Sequence, residues 1–326
     1  MRRLPAEWEP QQRVYFSFPR RDGDWGKVLA TASEAMVRAA NQINEVCPVT
    51  LVVGDSGHFQ AYAPSYRGEV LEVPTDDCWI RDSGPITVFS PLPTLLDFTF
   101  NGWGGKFDAT RDNRLPKAIY TADFPAAVYE RIPSVLEGGS IESDGQGTLL
   151  TTTRCLLSAG RNDYANRSEA EAMLRTHLGT QRFIWLQHGE LDGDDTDAHI
   201  DTVARFYAPG VIAYVEPPGP KDQHHLDFSR MEAELHQYAD TYRLLALPFP
   251  DPVYSAVDGH RLPASYANFL ICNGTLFLPV YEVPSDAKAV EVLETEGTYR
   301  VVPVNCRPFV EQHGALHCLT MQIPAW

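Results

Sequence analysis

A helix-like stretch followed by a short strand-like run recurs five times along the chain. The first copy is the clearest, because apolar residues recur at helical spacing over residues 25–45 and the run Val49-Thr50-Leu51-Val52-Val53 follows. The strand-like runs begin near residues 49, 126, 182, 242 and 299, roughly 55 to 80 residues apart, which is within or somewhat above the spacing of repeats that build propellers and arrays. The later copies pair residues 115–120 with 126–130, 168–178 with 182–186, 228–238 with 242–246, and 286–296 with 299–302.

Pairs of strand-like segments lie between successive copies of this unit. They cover residues 136–142 with 148–156, 202–207 with 211–215, and 267–271 with 275–280, and glycine-containing turns join each pair. Each pair predicts a hairpin, so the repeated unit is strand, turn, strand, helix, strand. No linker rich in proline, glycine and serine divides the chain, and we therefore expect an α/β fold in one domain over residues 1–326. In a closed ring of such units, equivalent first strands would meet near the axis.

Composition limits the class of partner. A formal net charge of −16 disfavours nucleic acid and anionic membranes and draws small cations toward a cleft. The N-terminal residues lack the apolar stretch of a signal peptide. The sequence also has no run of about 18 apolar residues, so we expect no transmembrane helix. Six scattered cysteines without a C-x-x-C pair are typical of reduced thiols. We expect a cytoplasmic protein, with a homodimer as the commonest possible assembly.

Polar residues open the first strand of each predicted unit. The ring would bring them into one cavity, and strand alternation would put His199 and Asp201 on the same face. In chain order these residues are Asp82, Glu137, His199 with Asp201, Ser265 with Asn268, and His317 with Cys318.

This set of residues suits chemistry on a guanidinium group. The group is planar, cationic and rich in donors, so two carboxylates can bind it, and Asp82 with Asp201 are the best candidates. Its carbon is a poor electrophile, which favours a thiolate nucleophile, here Cys318. His199 can then pass a proton to the leaving nitrogen and take one from water, with Glu137 holding its tautomer.

Several motifs occur in one order from residue 5 to residue 320. They are Asp76-Asp77-Cys78-Trp79-Ile80-Arg81-Asp82-Ser83-Gly84-Pro85, Phe100-Asn101-Gly102-Trp103-Gly104-Gly105-Lys106, Glu137-Gly138-Gly139-Ser140, Asp194-Asp195-Thr196-Asp197-Ala198-His199-Ile200-Asp201 and His317-Cys318. Together they resemble the agmatine deiminase and bacterial peptidylarginine deiminase family, which has the pentein fold.

The resemblance implies a five-bladed pseudosymmetric α/β propeller around a central active site. It also implies conversion of agmatine and water into N-carbamoylputrescine and ammonia through an amidino group held on cysteine, without metal or other cofactor. By their positions in the motifs, Asp82 and Asp201 would bind the guanidinium, and Glu137, His199 and Cys318 would carry the catalysis.

The far end of the substrate site is less well defined by these motifs. We add Trp79, Arg81, Trp103 and Asp195 to the substrate-binding candidates, although Trp103 is equally a core aromatic. The chain departs from the family pattern over residues 14–19 and 312–316, and at Glu142, where histidine is common. The acidic run 192–197 lacks the spacing of a calcium loop and predicts a solvated loop rather than a metal site.

Alternative functions remain open at this point. A related enzyme acting on free or peptidyl arginine would use the same core residues. A non-catalytic propeller that binds a cationic ligand would keep the framework and not the reactivity. A cysteine hydrolase of amides would need oxyanion donors rather than two carboxylates around the scissile carbon.

Overall fold

The computed structural model describes residues 2–326 and contains sixteen strands within that range. These strands are β1 Gln11–Ser17, β2 Val49–Val53, β3 Glu69–Glu72, β4 Ile86–Ser90, β5 Leu92–Thr99, β6 Val128–Val135, β7 Ile141–Ser143, β8 Thr148–Thr152, β9 Arg182–Leu186, β10 Ala204–Ala208, β11 Val211–Val215, β12 Arg243–Leu247, β13 Leu270–Cys272, β14 Thr275–Val280, β15 Arg300–Asn305 and β16 Thr320–Pro324.

α-Helices and short 3₁₀ turns connect the strands. The α-helices are α1 Leu29–Ile43, α2 Ser56–Phe59, α3 Ile80–Ser83, α4 Gly102–Gly105, α5 Leu115–Asp123, α6 Thr153–Leu156, α7 Arg167–Leu178, α8 His225–His236, α9 Ser285–Glu296 and α10 Arg307–Val310. Short 3₁₀ turns cover Gly26–Val28, Ala63–Ser65, Asp112–Arg114, Gly138–Ser140 and Ile200–Thr202. None of these helices is both long and apolar enough to cross a membrane, as judged over residues 2–326.

The strands form five small sheets with one recurring connection. In four of them a hairpin supplies two antiparallel strands, and a crossover containing a helix returns the chain to a third strand parallel to the second: β4-β5-β6, β7-β8-β9, β10-β11-β12 and β13-β14-β15. The fifth sheet joins the two ends of the chain, because β16 pairs antiparallel with β1, and β1 runs parallel to β2. The added strand β3 extends that sheet to four strands.

The predicted repeat is confirmed in its order. The third strands begin at residues 128, 182, 243 and 300, and β2 begins at 49, close to the predicted positions. Helix α1 buries Ala32, Ala35, Met36, Ala39 and Ile43, the apolar side that its spacing indicated. Val49, Leu51 and Val53 of β2 belong to the same apolar cluster.

Local chemistry fixes the ends of the helices. The Asn166 side chain accepts the Glu169 amide at 3.3 Å and begins α7, which ends at Gly179 with a left-handed φ of 75°. A Cβ at residue 179 would lie 2.0 Å from the Arg2 carbonyl oxygen, so the position requires glycine for space as well as for its backbone angle.

Two local predictions were wrong where the chain enters the first strands. Residues 136–140 do not extend β7, because Gly138–Ser140 forms a 3₁₀ turn before the strand begins at Ile141. His199 and Asp201 are not on a strand either, since His199 precedes the 3₁₀ turn Ile200–Thr202 that leads into β10. The polar residues of interest therefore lie in turns that precede the strands.

Candidate active site

The turns before the first strands bring three site residues against one glycine. A Cβ added to Gly139 would lie 2.6 Å from His199 Nδ1, 2.9 Å from Asp82 Oδ1 and 3.1 Å from Asp201 Oδ2. Gly139 follows Glu137 in the turn before β7, while Asp82 lies in α3, just before β4. The three polar groups thus come together across a backbone that has room for no side chain.

Asp82 is held by two fixed donors. The Gly139 amide donates to Oδ1 at 2.9 Å, and the Trp103 indole donates to Oδ2 at 3.0 Å. Trp103 does this from a left-handed backbone with φ 55°, an unusual conformation for a bulky residue. Burial raises the pKa of Asp82 to about 6, with Asp201 and Glu137 adding to the shift and His199 opposing it.

Cys318 lies beside the second aspartate. Its Sγ is 3.8 Å from Asp201 Oδ2 and accepts from the Asn268 side-chain amide at 3.2 Å. Burial raises the pKa of the Cys318 thiol, and the carboxylates of Asp201 and Asp82 raise it further. In the absence of a cationic ligand this thiol is therefore protonated at neutral pH.

Asp201 is oriented by the histidine that precedes the cysteine. His317 Nδ1 lies 2.7 Å from Asp201 Oδ2, and His317 Nε2 lies 2.7 Å from Glu7 Oε2. Burial would raise the pKa of Asp201, but His317 and His199 outweigh it and lower the pKa. Asp201 is accordingly the more acidic of the two predicted guanidinium-binding carboxylates.

His199 lies between two carboxylates and is fully buried. Its Nδ1 is 3.6 Å from Asp82 Oδ1, and its Nε2 is 3.7 Å from Glu137 Oε2. Burial alone would lower the pKa of His199, but Asp82, Cys155 and Glu137 outweigh it and raise the pKa well above its ordinary value. A protonated imidazole is the form required of a general acid.

The sequence interpretation missed Arg161. Its Nε donates to both carboxylate oxygens of Glu137 at 2.9 and 2.8 Å, and its side chain is 1% exposed. Its Nη1 donates to Asp197 Oδ2 at 2.6 Å and its Nη2 to the Thr196 carbonyl at 2.8 Å. One guanidinium therefore holds Glu137 and the turn leading to His199, in which Asp197 and Ala198 both have a positive φ.

We expect Arg161→Met to lower kcat on the proposed substrate by about 100-fold with little change in KM, because a small displacement of His199 from its working position is enough for such a loss. Arg154→Met removes an exposed arginine of α6 that pairs with Glu190, and it serves as the control. Steady-state kinetics of both variants would test this, and an unchanged kcat in Arg161→Met would contradict the positioning role.

An acidic cavity of about 200 Å³ opens above Cys318 and Asp82. Trp79 and Trp103 form its aromatic walls, and Gly314 makes room for Trp79, since a Cβ there would lie 2.2 Å from the ring. The cavity is also lined by Asp24, Asp77, Asp194 and Asp195, together with His313. His313 Nδ1 lies 2.9 Å from Asp195 Oδ2, and this pairing raises the pKa of His313.

Arg81 lies away from this cavity. Its Nε donates to the His317 carbonyl at 3.2 Å, its Nη2 contacts Thr320 Oγ1 at 3.5 Å, and its backbone amide donates to the Cys318 carbonyl at 3.2 Å. The guanidinium thus supports the segment that carries Cys318, in contrast to the substrate contact expected from the sequence. Glu142, the departure from the family pattern, is buried beside Arg205 instead of lining the cavity.

A buried cysteine, a buried histidine and paired carboxylates on this α/β fold define a class of enzymes that hydrolyse guanidino C–N bonds. The chain belongs to the Porphyromonas-type peptidyl-arginine deiminase family, whose model matches residues 3–324. It is 35% identical over 352 residues to an agmatine deiminase of Stutzerimonas stutzeri, covering 99% of this chain and 95% of that one.

Solved structures of two relatives are similar over nearly their full lengths. A cysteine-to-serine variant of C. jejuni agmatine deiminase with substrate bound has a TM-score of 0.93 at 32% identity, covering 99% of this chain and 96% of that chain. The agmatine deiminase of Enterococcus faecalis has a TM-score of 0.92 at 29% identity, with the same coverage of 99% and 96%.

Proposed function

We propose that this protein is an agmatine deiminase that hydrolyses agmatine to N-carbamoylputrescine and ammonia, a reaction of putrescine biosynthesis. The observation that carries the proposal is the cavity lined by Asp82 and Cys318, with a second buried carboxylate, Asp201, 3.8 Å from the Cys318 sulfur. A flat cation bound there would donate paired hydrogen bonds to the two carboxylates. The full-length similarity to agmatine deiminases supports the same substrate.

The proposed reaction begins when the guanidinium binds between Asp82 and Asp201. Its charge offsets the carboxylates that keep Cys318 protonated, so the thiol releases its proton to solvent and becomes a thiolate. The thiolate adds to the guanidinium carbon, the C–N bond breaks, and ammonia leaves with a proton from His199. His199 then takes a proton from water, the hydroxide attacks the amidino carbon, and the S–C bond breaks to restore Cys318. Glu137 and Arg161 keep His199 in place throughout.

The acidic lining of the cavity favours a distal ammonium over a carboxylate. Asp195 and Asp77 line it, and a ligand with an α-carboxylate would place like charges together at a cost of several kcal/mol. Agmatine carries an amine at that end, whereas free arginine carries an amine and a carboxylate. This charge distribution supports agmatine, with Trp79 and Trp103 as walls around its methylene chain.

We also propose that the five sheets are blades around one axis and that residues 1–326 act as one domain. The recurring strand connection and the pairing of β16 with β1 support a closed ring. Asp82 from the turn before β4, and His199 with Asp201 from the turn before β10, all approach Gly139 in the turn before β7, and this meeting of three sheets supports a site on that axis. A small soluble substrate and scattered free thiols support a cytoplasmic location.

A substrate panel tests the proposal. Ammonia and the ureido product would be measured with agmatine, free arginine and an arginine blocked at both ends as a peptide mimic. We expect kcat/KM for agmatine to exceed that for free arginine by at least about 100-fold, given the cost of a carboxylate in this cavity. Equal or higher kcat/KM for either arginine substrate would reject agmatine as the preferred substrate.

The proposal also predicts the acid side of the pH profile. Burial raises the pKa of Asp82 to about 6, so Asp82 is ionised above that pH and neutral below it. Because a neutral carboxyl cannot accept both guanidinium donors, kcat/KM should fall on acidification with an apparent pKa near 6. Asp77, whose pKa burial also raises to about 6, acts in the same direction. A profile that stays flat down to pH 5 would contradict this expectation.

A further inference from the structure

A second cysteine lies against His199, and the proposed reaction does not use it. Cys155 Sγ is 3.8 Å from Glu137 Oε2, and His199 Nε2 is 3.7 Å from the same oxygen. One ligand atom from each of the three residues lies within 4.8 Å of the other two. All three side chains are fully buried.

We propose that Cys155, His199 and Glu137 form a binding site for a thiophilic divalent cation such as Zn²⁺, and that the bound ion inhibits the enzyme by occupying His199. Cysteine, histidine and carboxylate side chains bind zinc through sulfur, nitrogen and oxygen respectively. The inhibition rests on the proposed function, whereas binding of the ion does not.

The spacing of the three atoms fits a tetrahedral ion. Zinc binds nitrogen and oxygen at about 2.1 Å and sulfur at about 2.3 Å, so neighbouring ligands in such a site lie about 3.4 to 3.7 Å apart. The separation from Glu137 Oε2 to His199 Nε2, 3.7 Å, is at the upper end of that range, and the separation to Cys155 Sγ, 3.8 Å, is slightly beyond it. All three separations are within 4.8 Å, so the three side chains would have to move closer together to bind one ion.

His199 provides an independent reason for a ligand at this place. Neither of its ring nitrogens has a hydrogen-bond partner within residues 2–326, although the side chain is fully buried. An unpaired buried imidazole nitrogen is unfavourable, and a metal bond to Nε2 would satisfy it. Nδ1 would remain on the side of Asp82, which is the common arrangement of a carboxylate behind a metal-bound histidine.

The nearby Arg161 does not exclude the ion. In the resting site His199 is cationic, Cys155 is a neutral thiol and Glu137 is anionic, so the three side chains sum to zero charge. On binding, one proton leaves His199 and one leaves Cys155, and the two positive charges of the ion replace them, so the sum stays zero. The two carboxylate oxygens of Glu137 have enough lone pairs to accept the hydrogen bonds from Arg161 and also to bind the ion.

Zinc affinity of defined variants tests the site without using turnover. The Cys318→Ala protein, which lacks the nucleophilic thiol, would be titrated with Zn²⁺ in competition with a chromophoric chelator. The double variant that also carries Cys155→Ala would be titrated in the same way. We expect one equivalent bound by Cys318→Ala. In the double variant the affinity should fall by more than about 100-fold, beyond the loss caused by removing an outer-shell partner of a metal site. Affinity should also rise with pH, since protons are released.

Several outcomes would overturn the proposal. Equal zinc affinity in the single and double variants would show that Cys155 is not a ligand. Loss of binding in Cys318→Ala compared with wild type would assign the ion to the nucleophile instead. A Cys155→Ser variant, which nearly keeps the side-chain volume, would guard against a packing defect and should lose affinity similarly. If zinc binds as expected but agmatine is not a substrate, the site stands and the proposed function fails.

Discussion

Replacing Cys318 by serine is expected to abolish ammonia release from agmatine, with a loss in kcat of at least about 10⁴-fold, the scale seen when a nucleophile is removed. A serine hydroxyl would have to ionise beside Asp201 and Asp82, which already raise the pKa of the far more acidic thiol. No base among the described residues bonds to Cys318 Sγ other than Asp201, at 3.8 Å. Substrate binding should survive, because both guanidinium-binding carboxylates remain.

The matched control is another buried cysteine of the C-terminal region. Cys306 is packed in the apolar core around α10, and its Cys306→Ala variant should keep turnover near that of the wild type. Calorimetric titration of Cys318→Ser with agmatine would separate binding from chemistry. Turnover retained in Cys318→Ser at more than about a tenth of the wild-type rate would exclude Cys318 as the nucleophile.

Asp82→Asn is expected to lower kcat/KM for agmatine by about 10³-fold. The substitution removes a charge that pairs with the guanidinium, and truncating one partner of a buried charge pair costs about 2 to 5 kcal/mol. The amide nitrogen of the asparagine would face either the Trp103 indole or the Gly139 amide. Both of these groups are donors, so one of the two hydrogen bonds to residue 82 would be lost. The loss should appear in both kcat and KM.

Asp97→Asn is the control for Asp82→Asn. Asp97 is as buried as Asp82, but it pairs with Arg131 in the sheet of β5 and β6, away from the cavity. Its replacement should affect stability and leave kcat/KM nearly unchanged. A small effect of Asp82→Asn on agmatine turnover would instead favour amide chemistry, in which no second carboxylate around the scissile carbon is required.

The repeat could be predicted from sequence because its evidence is local. Apolar residues recur at helical spacing in α1, and short runs rich in β-branched residues such as β2 are typical of strands, so the order of the elements could be predicted to within a few residues. The pairing of β16 with β1 joins residues about 300 positions apart, and no local pattern in the sequence predicts it.

The turns that carry the site were harder to predict, because tertiary contacts set them. Gly138–Ser140 could continue a strand by pattern alone, but the space around Gly139 is filled by Asp82, His199 and Asp201. The left-handed backbone of Trp103 likewise depends on contacts outside its own segment, including the bond from its indole to Asp82. Local propensity contains no information of this kind.

Arg161 shows the limit for site residues. It lies 24 positions from Glu137, in a loop without a motif, and nothing in its neighbours indicates a buried partner. An arginine in a loop is usually exposed, and only the coordinates reveal that it is 1% exposed and bonded to Glu137 through one nitrogen. Arg81, conversely, lies within a motif and was expected at the substrate, yet its guanidinium points to the segment of Cys318.

Detection of the covalent intermediate would identify the nucleophile directly. Enzyme mixed with agmatine, quenched in acid during turnover and digested should yield a peptide containing Cys318 that is heavier by agmatine less one ammonia. The same adduct should be absent from Cys318→Ser and from protein quenched without substrate. Agmatine turnover without any such adduct, or with the adduct on another cysteine such as Cys155, would contradict the central claim that Cys318 attacks the guanidinium carbon.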